Sequence, residues 1–230
     1  GDRRVNCPGC EASMTALDFE RHDIGRVSLD FCFPCQVIWF DTMESQQLTA
    51  RGVLDVFIAL NEHRVPARSA LPGIINCPRC HTRLELTHDL QHTTRFTYFR
   101  CPFGHGRLTP FFQFLLEKNF VRPVTGAELA ALKAKVQQVQ CSNCGAPLDL
   151  EHDTACKYCG SPISILDPDA VTNAVRALGA ADQRAHSIDI DRLAEALAMH
   201  SPEGSSDRSP IVGDLVGAGI ALVASMLLRL

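Results

Sequence analysis

The segments Cys7-Pro8-Gly9-Cys10 and Cys32-Phe33-Pro34-Cys35 each contain two closely spaced cysteines. In each segment two residues separate the cysteines, and such a turn, called a knuckle here, aims two sulfurs at one ion. Two knuckles together supply the four ligands of a closed tetrahedral site. We therefore expect Cys7, Cys10, Cys32 and Cys35 to hold one structural metal ion.

The other cysteines form two more sets of four ligands when one histidine is included. The chain has 11 cysteines, and none is left over. Three Zn²⁺ ions per chain are therefore the leading prediction, with iron as the alternative metal at sites of four thiolates. Disulfides are disfavoured because the cysteines are closely paired, their number is odd and no secretory leader is visible. The second set is Cys77, Cys80, Cys101 and His105, and the third is Cys141, Cys144, Cys156 and Cys159.

His105 is assigned as a ligand because of an internal repeat. Cys7 and Cys77 lie 70 residues apart, and so do Cys35 and His105. Without His105 the second set would have three thiolates and no fourth ligand, whereas sites of three cysteines and one histidine are well known. The competing candidates are His81, His88 and His92.

Each repeat predicts a knuckle, a β-hairpin, a second knuckle and a helix. Apolar and polar residues alternate over 15–21 and 26–33, and again over 83–87 and 94–100, as in paired strands. A helical pattern follows over 44–64, and a shorter one begins at Thr109-Pro110. The fold class is a small, metal-stabilised α+β protein with three zinc ribbons linked by helices.

The first repeat resembles the transcription-factor-IIB-type zinc ribbon of bacterial proteins. The resemblance rests on both knuckles, on Gln36-Val37-Ile38-Trp39-Phe40-Asp41 and on the nearby Glu44, and it covers residues 5 to 60. A degenerate second copy extends to residue 120. Glu11 stands where the family often has glycine, and Gln36-Val37 replaces a glycine pair. The resemblance implies a zinc ribbon that contacts nucleic acid or protein, and it implies no particular reaction.

The third set resembles a short accessory zinc ribbon, in which a glycine, here Gly145 and Gly160, follows each knuckle. Thr125 and Glu128 predict a capping box that opens a helix through Gln138. Short acidic helices are expected over 169–178 and 189–199. The predicted domains are 1–65 and 66–122, each a ribbon with its helix; 123–166, a linker helix with the third ribbon; 167–200, acidic helices; 201–210, a linker; and 211–230, an apolar helix.

The C-terminal residues 211–228 carry one charge, Asp214, and approach the length of a membrane-spanning helix. Small residues recur every fourth position from Gly213 to Ser225, as on helix faces that pair closely in lipid. The sequence therefore offers two interpretations, a tail anchor and a helix buried against protein. Asp214, the short length and Arg229 oppose the anchor.

The sequence predicts a zinc-binding scaffold or adaptor subunit that contacts protein partners and is not an enzyme. Every cysteine is committed to a metal, and no phosphate-binding or dinucleotide motif is present. The expected location is the cytoplasm, with association at the cytosolic face of a membrane if residues 211–228 insert. The net charge of −4 does not suit a dedicated nucleic-acid binder.

Nucleic-acid binding by the second ribbon is the alternative function. Residues 77–120 carry six basic and three acidic side chains, and arginines alternate there with aromatic residues. Such a mixture serves proteins that stack single-stranded bases, although a strand with a buried aromatic face gives the same pattern. The residues concerned are Arg79, Arg83, Arg95, Arg100 and Arg107 with Phe96, Tyr98, Phe99 and Phe103.

Overall fold

The computed structural model describes residues 5–63, 71–91, 94–177, 189–198 and 212–227. It groups them into two compact units, Gly1–Lys118 and Asn119–Leu230, called unit 1 and unit 2 here. Unit 1 contains the first two ligand sets, and unit 2 contains the third. The predicted linker at 201–210 lies outside the described residues.

Unit 1 is built on one antiparallel sheet of six strands, three from each repeat. The first half of unit 1, residues 5–63, supplies β1 (Thr15–Glu20), β2 (Arg26–Cys32) and β3 (Val37–Phe40). The second half, residues 71–118, supplies β4 (Glu85–Gln91), β5 (Thr94–Arg100) and β6 (Arg107–Pro110). The strand order is β1-β2-β3-β6-β5-β4, so the two halves join through β3 and β6.

The join between the halves has internal two-fold symmetry. Val37 lies opposite Pro110 and Phe40 opposite Arg107, and each of these positions in β6 is 70 residues beyond a position in β3. A rotation about an axis between the central pairs therefore exchanges the two repeats. Trp39 and Leu108, which lie opposite each other beside that axis, are fully buried. The strands β3 and β6 were not predicted from the sequence.

Within the residues described for unit 1, three helices accompany the sheet. Where one helix was expected over 44–64, the structure has α1 (Glu44–Gln47) and α2 (Ala50–Glu62). That expectation is wrong because Leu48 and Thr49 are extended, and the Thr49 side chain accepts a hydrogen bond from the Gly52 amide. A Cβ atom at Gly52 would lie 2.3 Å from the Glu20 carbonyl oxygen, so glycine lets α2 approach the end of β1. The third helix is α3 (Phe111–Glu117).

In its described residues, unit 2 combines short strands with four helices. Strand β7 (Val121–Pro123) pairs with β10 (Ser164–Leu166), and β8 (Gln138–Gln140) pairs with β9 (Pro147–Asp149). The predicted capping box of Thr125 and Glu128 is confirmed, but its helix, α4 (Gly126–Lys133), ends before Gln138. The acidic segments form α5 (Pro168–Ala177) and α6 (Ile190–Ala198), and the core includes Leu132, Leu150, Ile165, Leu193 and Leu197.

The C-terminal segment begins with a strand rather than a helix. β11 (Val212–Asp214) pairs in parallel with β8, and α7 (Leu215–Leu227) follows. The Asp214 carboxylate accepts a hydrogen bond from the Gly217 amide and so caps α7. Leu215 and Ala218 belong to the core of unit 2. In the described ranges of the chain, no helix has both the length and the apolar character that crossing a membrane requires.

Candidate metal centres

The structure brings each of the three ligand sets together around a point. In each set one ligand atom per residue can be chosen so that all four lie within 4.8 Å of one another. A tetrahedral zinc ion with Zn–S bonds of about 2.3 Å requires sulfurs about 3.8 Å apart. The Cys10 and Cys32 sulfurs are 3.6 Å apart, as are those of Cys144 and Cys156. All 11 cysteines are free thiols in the structure, so the sets fit metal ions and not disulfides.

Set 2 includes His105 as its fourth member. The His105 Nδ1 atom lies 3.4 Å from the Cys101 sulfur and 4.0 Å from the Cys77 sulfur. A zinc ion bound by both ligand types would place sulfur and nitrogen about 3.6 Å apart. His81 and His88 are exposed and lie outside the set, and His92 lies outside the described residues.

Four of the knuckles have the same backbone hydrogen bonds. The amide of the first cysteine donates to the carbonyl five residues later, as from Cys7 to Ala12 and from Cys141 to Ala146, each at 2.8 Å. The residue four positions after that cysteine donates back to the cysteine carbonyl. That residue has a positive φ in every case. The four residues are Glu11 (62°), His81 (59°), Gly145 (76°) and Gly160 (72°).

This backbone conformation explains the glycines of the third set. Glycine adopts a positive φ without steric cost, whereas other L-residues are strained there. Glu11, which departs from the glycine of the resembling family, adopts the same conformation as Gly145 and Gly160. The substitution is therefore tolerated in the structure at a cost in backbone strain.

Hydrogen bonds and burial act on the ligand thiols in opposite directions. Amide donors favour the thiolate form that a metal requires, whereas burial raises the pKa of Cys77 to about 11 and also raises the pKa values of Cys141 and Cys144. Gly9 donates its amide to the Cys7 sulfur at 3.3 Å, and Arg79 donates to the Cys77 sulfur at 3.4 Å. The pKa of Cys7 is lowered to about 5, first by the hydrogen bond from Cys32 and further by the amides of Gly9 and Cys10. Backbone hydrogen bonding at Thr82 is the first cause that lowers the pKa of Cys80 to about 6.

Most ligands lie in the cores of the two units. Set 1 and set 2 contribute Cys7, Cys32, Cys35, Cys77 and Cys101 to one apolar cluster of unit 1, and set 3 contributes Cys141 and Cys156 to that of unit 2. Cys10 and Cys159 are exposed. Each set therefore has four protein ligands and a largely buried position, which suits a structural ion.

The tryptophan of the family-like segment packs in the same apolar cluster as ligands of sets 1 and 2, and it contacts the aspartate of that segment. The Trp39 indole nitrogen donates to Asp41 Oδ1 at 2.9 Å, and the Arg79 guanidinium donates to Asp41 Oδ2 at 3.0 Å. Trp39 and Asp41 belong to the first half of unit 1, and Arg79 belongs to the first knuckle of the second half. Asp41 therefore links the two halves.

A second link between the halves is a cluster of charged and polar groups. The Arg107 guanidinium donates to Glu117 Oε2 and to Ser45 Oγ, each at 2.6 Å. The Lys118 ammonium donates to the Ser45 carbonyl at 3.0 Å. Ser45 lies in α1 of the first half, whereas the other three residues lie in the second half. No local pattern in the sequence indicates this cluster, because its members are separated along the chain.

Some of the arginines and aromatic residues of the alternative nucleic-acid surface are engaged within unit 1, and others are exposed. Arg79, Arg100 and Arg107 form ion pairs with Asp41, Glu85 and Glu117. Phe96 is buried, and Phe99 packs partly against the metal-site cluster. Arg83, Arg95 and Phe103 are exposed. Tyr98 is partly exposed and stacks on Phe96, with the Arg107 guanidinium over its ring, and nucleic-acid binding by the second ribbon stays a prediction.

A fourth group that could hold an ion, Asp149, Glu151 and His152, was not anticipated from the sequence. His152 Nδ1 lies 2.8 Å from Asp149 Oδ2, and the Glu151 amide donates to Asp149 Oδ1. These hydrogen bonds account for the proximity of the side chains within one turn. We assign no metal to the group.

The chain was compared with protein-family models, curated proteins and solved structures, and none of them matches it. The family resemblance of the first repeat therefore stays a prediction from its motifs.

Proposed function

We propose that this protein is a zinc-binding scaffold subunit whose three ions fix surfaces for contact with partner proteins. The observation that carries the proposal is the closure of all three ligand sets. Each has four protein ligands at distances suited to zinc, which leaves no position for a substrate on the metal. We propose no catalytic role, since every cysteine belongs to a ligand set.

Zinc is the metal that the ligand types favour. Thiolate and imidazole ligands in a tetrahedral arrangement suit zinc, and a mixed set such as Cys77, Cys80, Cys101 and His105 is a common structural zinc site. Reduced cysteines in this number also suit a cytoplasmic location, which stays a prediction. The burial of α7 in the core of unit 2 supports a role for that helix in the fold rather than as a membrane anchor.

The edge strand β4 is the surface that best suits a protein partner. Leu86 and Leu90 are each 55% exposed and point to the same side of the strand. Within the described residues, β4 pairs with β5 alone, so its other edge can accept an extended segment of a partner. The opposite edge of the sheet differs, because α2 packs at the end of β1 and a bridge joins Arg21 to Leu48.

The test is affinity purification of the full chain from its native host, with nuclease treatment, followed by metal analysis. We expect zinc in the purified chain and a protein partner that is lost when Leu86 and Leu90 are both replaced by serine. The matched control is the pair Thr87→Ser and Gln91→Asn on the other side of β4, which should retain the partner. A chain without zinc would contradict the proposal, and a ligand removed by nuclease would favour nucleic-acid binding instead.

A further inference from the structure

Sets 1 and 2 share a single hydrophobic core. Their ligands Cys35 and Cys77 are fully buried in the same cluster, with Trp39 and Leu108 also buried in it. Those two large side chains come from opposite halves of unit 1 and lie opposite each other in the sheet. Neither half can therefore bury its apolar residues fully while the other half is disordered.

The strands that carry this core depend on pairing between the halves. All four residues of β3 pair with β6. Only three of them, Val37, Ile38 and Trp39, pair with β2. In β6 only Arg107 and Leu108 pair with β5. The β3–β6 ladder is thus at least as extensive as the ladders that join these strands to their own halves.

Side-chain contacts near the Phe40–Arg107 end of this ladder add to the coupling. Asp41 receives hydrogen bonds from Trp39 of the first half and Arg79 of the second half. Arg79 directly precedes the ligand Cys80. Near the same end, Ser45 of the first half forms hydrogen bonds with Arg107 and Glu117 of the second half.

We propose that sets 1 and 2 bind their metal ions cooperatively, so that an ion in either set raises the affinity of the other set about tenfold. This inference rests on the metal binding of the proposed function, and it adds that unit 1 loads as a two-metal unit. Set 3, whose ligands belong to the core of unit 2, loads without this coupling.

The cooperativity follows from the link between metal binding and folding. The chain around a structural zinc site becomes ordered when the ion binds, and the cost of this ordering reduces the observed free energy of binding. An ion in set 1 orders β3 and Trp39, which orders β6 and Leu108 in turn. Because part of the chain around set 2 is then already ordered, an ion that enters set 2 afterwards binds more tightly.

Linkage makes the inference quantitative, because the coupling between two binding sites is reciprocal. In the full-length chain, Cys101→Ser disables set 2 and Cys32→Ser disables set 1. We expect each substitution to weaken zinc binding at the remaining set of unit 1 by about tenfold and by the same factor. Competition with a chromophoric zinc chelator measures both affinities. The control is Cys156→Ser in set 3, which should change neither.

A measurement on the wild-type chain removes the concern that a ligand substitution misfolds unit 1. The apo chain receives zinc below saturation, unprotected cysteines are alkylated, and top-down mass spectrometry maps the modified cysteines in each molecule. Cooperative loading predicts chains with sets 1 and 2 both protected or both alkylated, while protection of set 3 varies independently. Random combinations of sets 1 and 2, with losses below twofold in the variants, would overturn the coupling and leave the proposed function intact. Alkylation of all cysteines at saturating zinc would overturn both.

Discussion

Asp41 should stabilise unit 1 mainly through the buried indole of Trp39 and only weakly through Arg79. Trp39 is fully buried, so replacing Asp41 with alanine leaves its N–H group without the acceptor that lies 2.9 Å away. A hydrogen bond to a charged group contributes about 1.5 to 3 kcal/mol. The Arg79–Asp41 pair is partly exposed, with side-chain exposures of 29% and 26%, and such pairs contribute less than about 1 kcal/mol.

Asp41→Ala should therefore lower the free energy of unfolding by about 2 to 3 kcal/mol. Asp41→Asn keeps an acceptor for the indole and loses the carboxylate charge, so it should cost less than about 1 kcal/mol, as should Arg79→Gln. Trp39 is the only tryptophan in the chain, and its fluorescence reports on unit 1. The assay is urea denaturation at one fixed free zinc concentration, because bound metal contributes to stability.

A comparison of the alanine and asparagine variants decides the matter. If Asp41→Ala costs no more than Asp41→Asn, the indole hydrogen bond is not the main contribution and the reasoning is wrong. If Arg79→Gln alone costs as much as Asp41→Ala, the ion pair dominates instead. Either result would also change the account of how the two halves are joined.

Three further predictions concern other parts of the chain. Glu11→Gly should stabilise unit 1 by about 1 kcal/mol, because glycine adopts the positive φ at this position without strain, whereas Gly145→Ala should destabilise unit 2 by a similar amount. Denaturation at fixed zinc measures both effects. A destabilising Glu11→Gly or a stabilising Gly145→Ala would contradict the knuckle geometry. Asp214→Ala removes the cap of α7 and its hydrogen bond with Ser142, and it should cost about 1 kcal/mol and speed amide exchange in α7, unlike the control Asp169→Ala in α5. Arg122 lowers the pKa of Glu128 to about 2, below its ordinary value of 4.5, so this carboxylate adds stability above pH 4.5 that is lost as the pH falls toward 2. The stability difference between the wild type and Glu128→Gln should shrink over that pH range, and a constant difference would refute the assignment.

The ligand sets were accessible from sequence because knuckles are local. The two cysteines of a knuckle are three residues apart, and the repeat of 70 residues places His105 at the position of the second copy that is equivalent to Cys35. The capping box of Thr125 and Glu128 was accessible for the same reason, since its partners are also three residues apart. Features that depend on neighbours in sequence need no knowledge of the tertiary fold.

The union of the two repeats in one sheet was not accessible in this way. Strand β3 is buried on both faces, so its four residues show no alternation, and in β6 the partly buried Arg107 is followed by three buried residues, Leu108, Thr109 and Pro110. A pairing between segments 70 residues apart leaves no local pattern. The symmetry of the repeat was the available signal, because identical units with exposed edges can pair around a two-fold axis.

In the C-terminal segment, the apolar run predicts a helix over 211–228, whereas the cap at Asp214 sets a later start for the helix. Its apolar composition favoured a helix over 211–228, yet Asp214 was the informative residue, because an aspartate three residues before Gly217 is suited to an N-cap. The helix accordingly begins at Leu215, and the preceding residues extend the sheet of unit 2. The single charge that opposed a membrane anchor thus has a structural role.

The number of metal ions bound per chain tests the assignment of the three ligand sets. Elemental analysis of the purified full chain should give three zinc ions per chain and no iron. His105→Ala should reduce the bound zinc to two ions, whereas the neighbouring control His81→Ala should retain three. Two zinc ions in the wild type, or three in His105→Ala, would contradict the assignment of Cys77, Cys80, Cys101 and His105 as a closed site.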